Sequence, residues 1–202
     1  ELLTRNELVE AFTLDRVGAS ASRFDLKKVQ WLNGQHMRML PVEDLRDRVL
    51  PLLRDAGLDV DSKPVEWLTR MTAICQEKIK TLNEIVMYTD FFFVEPAEYE
   101  AKAVEKQWKD EGALDRMQAL RSAFASVEDW SHDPIKAAVE SLAEGLGLPP
   151  ARFIHPTRLA LTGKSVGPGL FELTELLGKE SVLARFDRAI EYIKGLQNAA
   201  TA

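Results

Sequence analysis

The sequence predicts an all-α fold, and three observations predict it. Helix-start signals recur: Thr4 with Glu7, Ser22 with Asp25 and Thr81 with Glu84. In each, a hydroxyl residue is followed three positions on by a carboxylate that can complete a reciprocal cap. Between these signals, apolar residues repeat at helical spacing. No stretch shows the period-two alternation that marks a half-buried strand.

Taken in order, "TRNELVEAF" opens a helix at Thr4, and "SRFDLKKVQWLNG" opens another at Ser22. The second presents Phe24, Val29, Trp31 and Leu32 for packing and is expected to stop at Gly34. A stripe of Leu45, Val49, Leu52 and Leu53 predicts an amphipathic helix over Pro41–Ala56, with a possible kink at Pro51 and a stop at Gly57. "KPVEWLTRMTAICQEKIKTLNEIVMYTDFFF" reads as two helices parted near Lys80 and Thr81. "DFFFV" is the one strand-like run, and just before Pro96 it reads as a helix end. Beyond Pro96, "AEYEAKAVEKQWKDEG" is expected to be helical as far as Gly112, and Leu114, Met117, Leu120 and Phe124 mark the next helix. Ser131 or Asp133 can cap the helix that follows, with Pro134 in its first turn. Pro156 should kink or shorten "PPARFIHPTRLALTG", and two helices finish the chain. The count comes to ten or eleven short helices joined by short loops. No repeat or low-complexity segment interrupts them.

The composition is that of an ordinary globular domain, with 46% hydrophobic and 29% charged residues in 202. Its apolar runs are too short for a bilayer, so no membrane partner is expected. A first residue of Glu instead of Met suggests a piece of a longer chain. Cys75 is alone, which excludes an internal disulfide, fits a reducing compartment and reads as a small core residue. The histidines, His36, His132 and His155, have no metal-ligand spacing. No nucleophile elbow occurs, and the carboxylates lie on amphipathic helices as solvated faces. The chain is expected to bind rather than catalyse.

With a net charge of −6, indiscriminate nucleic-acid binding is disfavoured. The charge is uneven, however. From Gly145 to Phe171 there is no Asp or Glu, while Arg152, His155, Arg158 and Lys164 fall inside. Such a gap predicts a locally cationic corner that holds a polyanion at one place. The same stretch contains Gly163-Lys164-Ser165, the end of a phosphate-binding P-loop. The full pattern needs glycine where Arg158 stands, so a nucleotide site is not expected. The alternative is a helical corner, with Gly163 ending one helix and Pro168 starting the next.

Two segments carry a family resemblance. "FDLKKVQWLNGQHMR" (Phe24–Arg38) resembles the FD-x-x-K-L-x-W-x-N signature of bacterial-type glutamyl-tRNA synthetases. "RLALTGKSVGPGLFELTELLGKESVLARFDRAI" (Arg158–Ile190) resembles the closing helices of that family, and "KIKTLNEI" between them matches its TL-x-E helix. The order and spacing agree along nearly the whole chain; the central motif is the weakest. The family's two ATP signatures are absent.

The resemblance implies the C-terminal part of such an enzyme: a helical cage of two small α-helical subdomains after the end of a stem-contact region. Residues 1–41 would end the stem-contact region, 42–95 form the first anticodon-binding subdomain and 96–202 the second. The parent would join glutamate to tRNA with ATP and Mg²⁺. This part would need no cofactor or metal and would read tRNA-Glu, with no DNA partner, as a cytoplasmic monomer. Carried over residue by residue, the anticodon contacts are Arg158, the loop of Gly167, Pro168, Gly169, Leu170 and Phe171, and Lys78. Arg158 would face a base carbonyl or a phosphate. Gly167 and Gly169 would admit backbone close to a base, and Pro168, Leu170 and Phe171 would supply apolar faces. Lys78 stands where the family often has arginine, so discrimination against tRNA-Gln is open. Lys164, Lys80 and Arg38 are candidate phosphate contacts. Two rival readings stay open, a protein-interaction module without tRNA affinity and a small enzyme whose site is not visible in the sequence.

Overall fold

The computed structural model describes residues 2–18 and 23–201, with side chains as far as residue 198. Those residues form eleven α-helices and two short 3-10 turns, with no strand among them. Helix α1 (Arg5–Ala11) carries the full reciprocal cap between Thr4 and Glu7 and buries nothing. Helix α2 (Leu26–Met39) starts at Asp25, whose carboxylate accepts from the backbone of Lys27 and Lys28. The expected Ser22 cap lies outside the described residues.

Two expectations for α2 are corrected. The helix does not stop at Gly34 but runs through it, and Phe24, Val29 and Trp31 lie exposed. Its buried face is Gly34 and Met37. A Cβ on Gly34 would lie 3.5 Å from the Cα of Lys80, an ordinary contact, so this buried glycine sits where α2 packs against the Lys80 backbone rather than ending a helix. Polar bonds hold the seam. Asn33 donates to the Lys80 carbonyl (2.6 Å), Arg38 to the Glu77 carbonyl (2.9 Å), and Gln76 to the carbonyls of Met37 and Leu40.

Helix α3 (Val42–Asp55) buries Leu45, Val49 and Leu53, with Leu52 half-buried, and continues through the exposed Pro51. Helix α4 (Val65–Gln76) packs on it with Leu68, Met71 and Cys75. The expected break follows, then a 3-10 turn over Leu82–Glu84 and helix α5 (Ile85–Phe93). Thr81 makes no side-chain cap there. Instead Glu84 accepts from the Lys80 amide at 2.8 Å, so half of the expected box forms, one residue earlier. Phe91 and Phe92 end α5 in the core and Val94 leaves the helix as its extended cap, so "DFFFV" is a helix end.

Past Pro96 the expected long helix shrinks to α6 (Ala101–Gln107). Trp108 stops it by leaving helical dihedrals to bury its ring against Tyr99 and Tyr192. Helices α7 (Ala113–Ala125), α8 (His132–Gly145), α9 (Ala151–Thr162), α10 (Leu170–Leu177) and α11 (Lys179–Thr201) complete the chain. Pro156 lies within α9 without ending it. The carbonyl it strands belongs to Arg152, an exposed residue in the first turn that water can reach. Helix α11 packs along α7 and α9 around Phe124, Phe153 and Phe186.

The two halves of the chain are joined tightly. The Trp67 indole of α4 donates to the Leu176 carbonyl of α10 (3.1 Å), and Arg70 pairs with Glu175 (2.6 Å). Arg185, 3% exposed, donates to the carbonyls of Leu161 and Phe91, tying α11 to α9 and α5. Such a buried guanidinium costs desolvation unless carbonyls surround it.

Candidate nucleic-acid interface

The corner between α9 and α10 is built on Gly163. At φ 74° this residue caps α9, and a Cβ there would lie 2.6 Å from the Glu98 carbonyl oxygen. Both facts demand glycine. The Gly163 carbonyl in turn accepts from the Glu100 amide at 2.8 Å, anchoring the corner to the start of α6. The predicted corner is therefore real, with one correction. Helix α10 is capped by Gly169 rather than started by Pro168.

Lys164 and Ser165 are both committed to protein partners. The Lys164 ammonium donates to both Asp90 oxygens (2.7 and 2.6 Å) and to the Met87 carbonyl (2.8 Å). Ser165 donates through its amide and hydroxyl to Glu100 (2.9 and 2.6 Å). Lys164, expected as a phosphate contact, clamps the corner onto α5.

Arg158 is half-buried beneath the loop and donates from Nη1 to the Pro168 carbonyl at 2.5 Å. Burial pulls its guanidinium below the ordinary arginine range, and the nearby Glu172 carboxylate partly offsets this. The fork has five N–H donors, so this bond leaves donors uncommitted. A Cβ on Gly167 would come within 2.9 Å of Nη1, so glycine there gives the guanidinium its room. Gly169 does the same for Glu172, whose carboxylate folds back over the helix start. Of the three expected apolar faces, Pro168 and Leu170 are buried. Only Phe171 stays partly open, with its ring edge-on to His132 (centroids 5.8 Å apart). Exposed Val166, which no sequence motif marks, offers another apolar side chain on the loop.

Beside the loop lies a cleft of about 440 Å³ whose lining includes Arg38, Gln76, Lys78 and Gly169 together with two carboxylates, Glu77 and Glu172. It brings together Lys78, Arg38 and Gly169, three candidates that are far apart in sequence. Lys80 does not line it; its backbone faces Gly34 instead. Sequence reasoning missed Glu172 and Gln76, which looked like ordinary helix-surface residues; no pattern marked them.

The expected acid-free corner needs correcting. Asp110 closes on Arg152, and Asp90 closes on Lys164, both from outside the acid-free stretch. The cations near the corner that remain without an ion pair are Arg158 beneath the loop, Arg38 and Lys78 in the cleft, and Lys102 and Lys106 on the opposite flank of the loop, beside His155. Among the described residues, no group of His, Cys, Asp and Glu could hold a metal ion, and no helix is long and apolar enough to cross a membrane.

The chain is similar to glutamate–tRNA ligases. It is 35% identical over 197 residues to that of Moorella thermoacetica, covering 96% of this chain and 40% of the relative. It is 33% identical over 198 residues to that of Chloroherpeton thalassium, covering 95% and 39%. Among solved structures it matches a crystal structure of a glutamate tRNA ligase from Elizabethkingia meningosepticum in complex with its amino acid. That match has a TM-score of 0.80 at 28% identity and covers 94% of this chain and 37% of the other. The chain thus spans about 40% of the length of the curated relatives it matches. The family model described as an anticodon binding domain matches residues 44–190, which take in both halves of the fold, the corner and most of the cleft. The chain belongs to the anticodon-binding-domain family.

Proposed function

We propose that this chain reads tRNA, as the non-catalytic C-terminal part of a glutamate–tRNA ligase, by holding the unpaired anticodon bases of tRNA-Glu. The observation that carries this reading is the cleft itself. In it Lys78 and Arg38 from one half meet Gly169 from the other, within or beside the span of the anticodon-binding match. Unpaired bases are read by stacking and by hydrogen bonds to their exposed edges. In this reading, the free donors of Arg158 and the ammonium of Lys78 supply the bonds. Gly167 and Gly169 let a base approach the backbone, and Phe171 offers its ring. Lys78 is a rotatable point charge rather than a planar fork, so it orients a base carbonyl weakly. We therefore include tRNA-Gln as a second partner to be tested.

The same reading takes 1–41 as the end of a stem-contact region, with 42–95 and 96–202 as the two anticodon-binding subdomains. It assigns ATP and Mg²⁺ to the catalytic part of the parent and treats the protein as a cytoplasmic monomer. A second reading, an interaction module without tRNA affinity, draws support from exposed Phe12, Leu14, Phe24 and Trp31. A gel shift with tRNA-Glu, and with transcripts altered at single anticodon bases, separates the two. Salt-sensitive binding that depends on the anticodon is expected. No shift even at low salt would leave the interaction module standing.

A further inference from the structure

Helix α6 carries Lys102 and Lys106 one turn apart on its exposed side. Together with His155 of α9 and Ser165 of the loop, they line a recess of about 300 Å³. No ion pair within 4 Å holds either lysine, although the hydrogen bonds from Ser165 and, more weakly, the charge of Lys102 draw the Glu100 pKa down. Arg152 and Lys164 nearby, by contrast, are both closed by aspartates. One carboxylate is present, Glu100, and it already accepts from the Ser165 amide and hydroxyl. The recess therefore carries two ammonium groups against one carboxylate.

Its position matters as much as its charge. Ser165 lines this recess and Gly169 lines the base cleft. Four peptide steps separate them, ~14 Å at full stretch. The loop thus has a lysine-bearing surface at each end, with exposed Val166 between. In the cleft Glu77 and Glu172 balance Arg38 and Lys78, whereas in the recess the lysines are in excess. A strand whose bases enter the cleft and whose backbone crosses this loop brings its adjoining phosphates within reach of the recess. Resting on the tRNA reading above, we infer that Lys102 and Lys106 form a phosphate-holding surface for the RNA backbone as it leaves the base cleft. Phosphate contacts of this kind position the strand and carry no sequence information.

The test is the salt dependence of tRNA-Glu binding by the whole chain and by K102Q/K106Q. Both side chains are exposed, so the variant keeps the fold, which its circular dichroism and melting temperature verify. The slope of log K against log salt should fall by ~1.4, at ~0.7 for each single-strand phosphate that a lysine no longer neutralises. Discrimination among anticodon-altered transcripts should stay unchanged. A control, K136Q/K194Q, removes two lysines ion-paired elsewhere, with Glu140 and Glu191. An unchanged slope in K102Q/K106Q overturns the inference while leaving the tRNA reading intact, and so does an equal fall in the control. If the unaltered chain binds no tRNA, the tRNA reading fails and takes this inference with it.

Discussion

Lys164→Met separates two roles that one lysine can play. If its ammonium serves the fold, the loss is stability; if it serves RNA, the loss is affinity. The structure places Nζ 2.6–2.8 Å from three acceptors, the two Asp90 oxygens and the Met87 carbonyl. An exposed ion pair contributes ~0.2–1 kcal/mol, and a hydrogen bond to a charged group ~1.5–3 kcal/mol. With side chains 29% and 40% exposed, this pair falls between those limits. Methionine keeps the apolar stem and loses only the head group, so the expected cost is about 1–2 kcal/mol. For a chain of this size that lowers the melting temperature by ~2–8 °C. Asp90→Asn should cost a similar amount, and the double variant less than the sum. Affinity for tRNA-Glu and its salt slope should hold. An unaltered melting temperature together with a salt slope lower by ~0.7 would refute this, making Lys164 a phosphate contact after all.

Gly163→Ala forces an alanine to φ 74° with its Cβ 2.6 Å from a carbonyl oxygen. The left-handed backbone alone costs ~1–2 kcal/mol, and Glu98 must also move, so a melting temperature several degrees lower is expected in calorimetry; an unchanged one contradicts the packing described. Arg158→Ala should weaken cognate binding by ~1–3 kcal/mol, the scale of a good base contact. Filter binding with single-base anticodon variants checks this, and equal losses on every transcript reduce Arg158 to a phosphate contact. Burial pushes the Cys75 thiol up to about 12. The folded state therefore resists ionising it, so stability is complete below the unfolded thiol's ~8.5 and drains away as pH rises towards the folded value. Denaturant titrations of the chain and of Cys75→Ala above that pH should show a steeper loss for the parent, and thiol reagents should label Cys75 only on unfolding.

The legible parts of this chain were those written locally. The Thr4 cap, the Leu45–Val49–Leu53 stripe, the Gly163 stop and the helical end at Phe91–Phe93 each depend on a few neighbouring residues. Helix lengths were harder where a distant contact decided them. Trp108 ends α6 early because its ring finds Tyr192, 84 residues away. Gly34, which reads as a stop, lies inside a helix whose buried face packs at that point on Ile79 and Lys80, 45 and 46 residues away. The candidate site divided in the same way. Arg158, Gly167 and Gly169 were legible through the resemblance, but Glu172 and Gln76 carried no local signal.

The sequence by itself determined an all-helical chain, the glycine corner and the family, because caps, periodicity and motifs act over a few residues. Only the tertiary structure decided which charges remain available. An acid-free run of sequence is not an acid-free surface, since Asp90 and Asp110 reach Lys164 and Arg152 across the fold. Coulomb attraction depends on distance in space, and folding rewrites those distances.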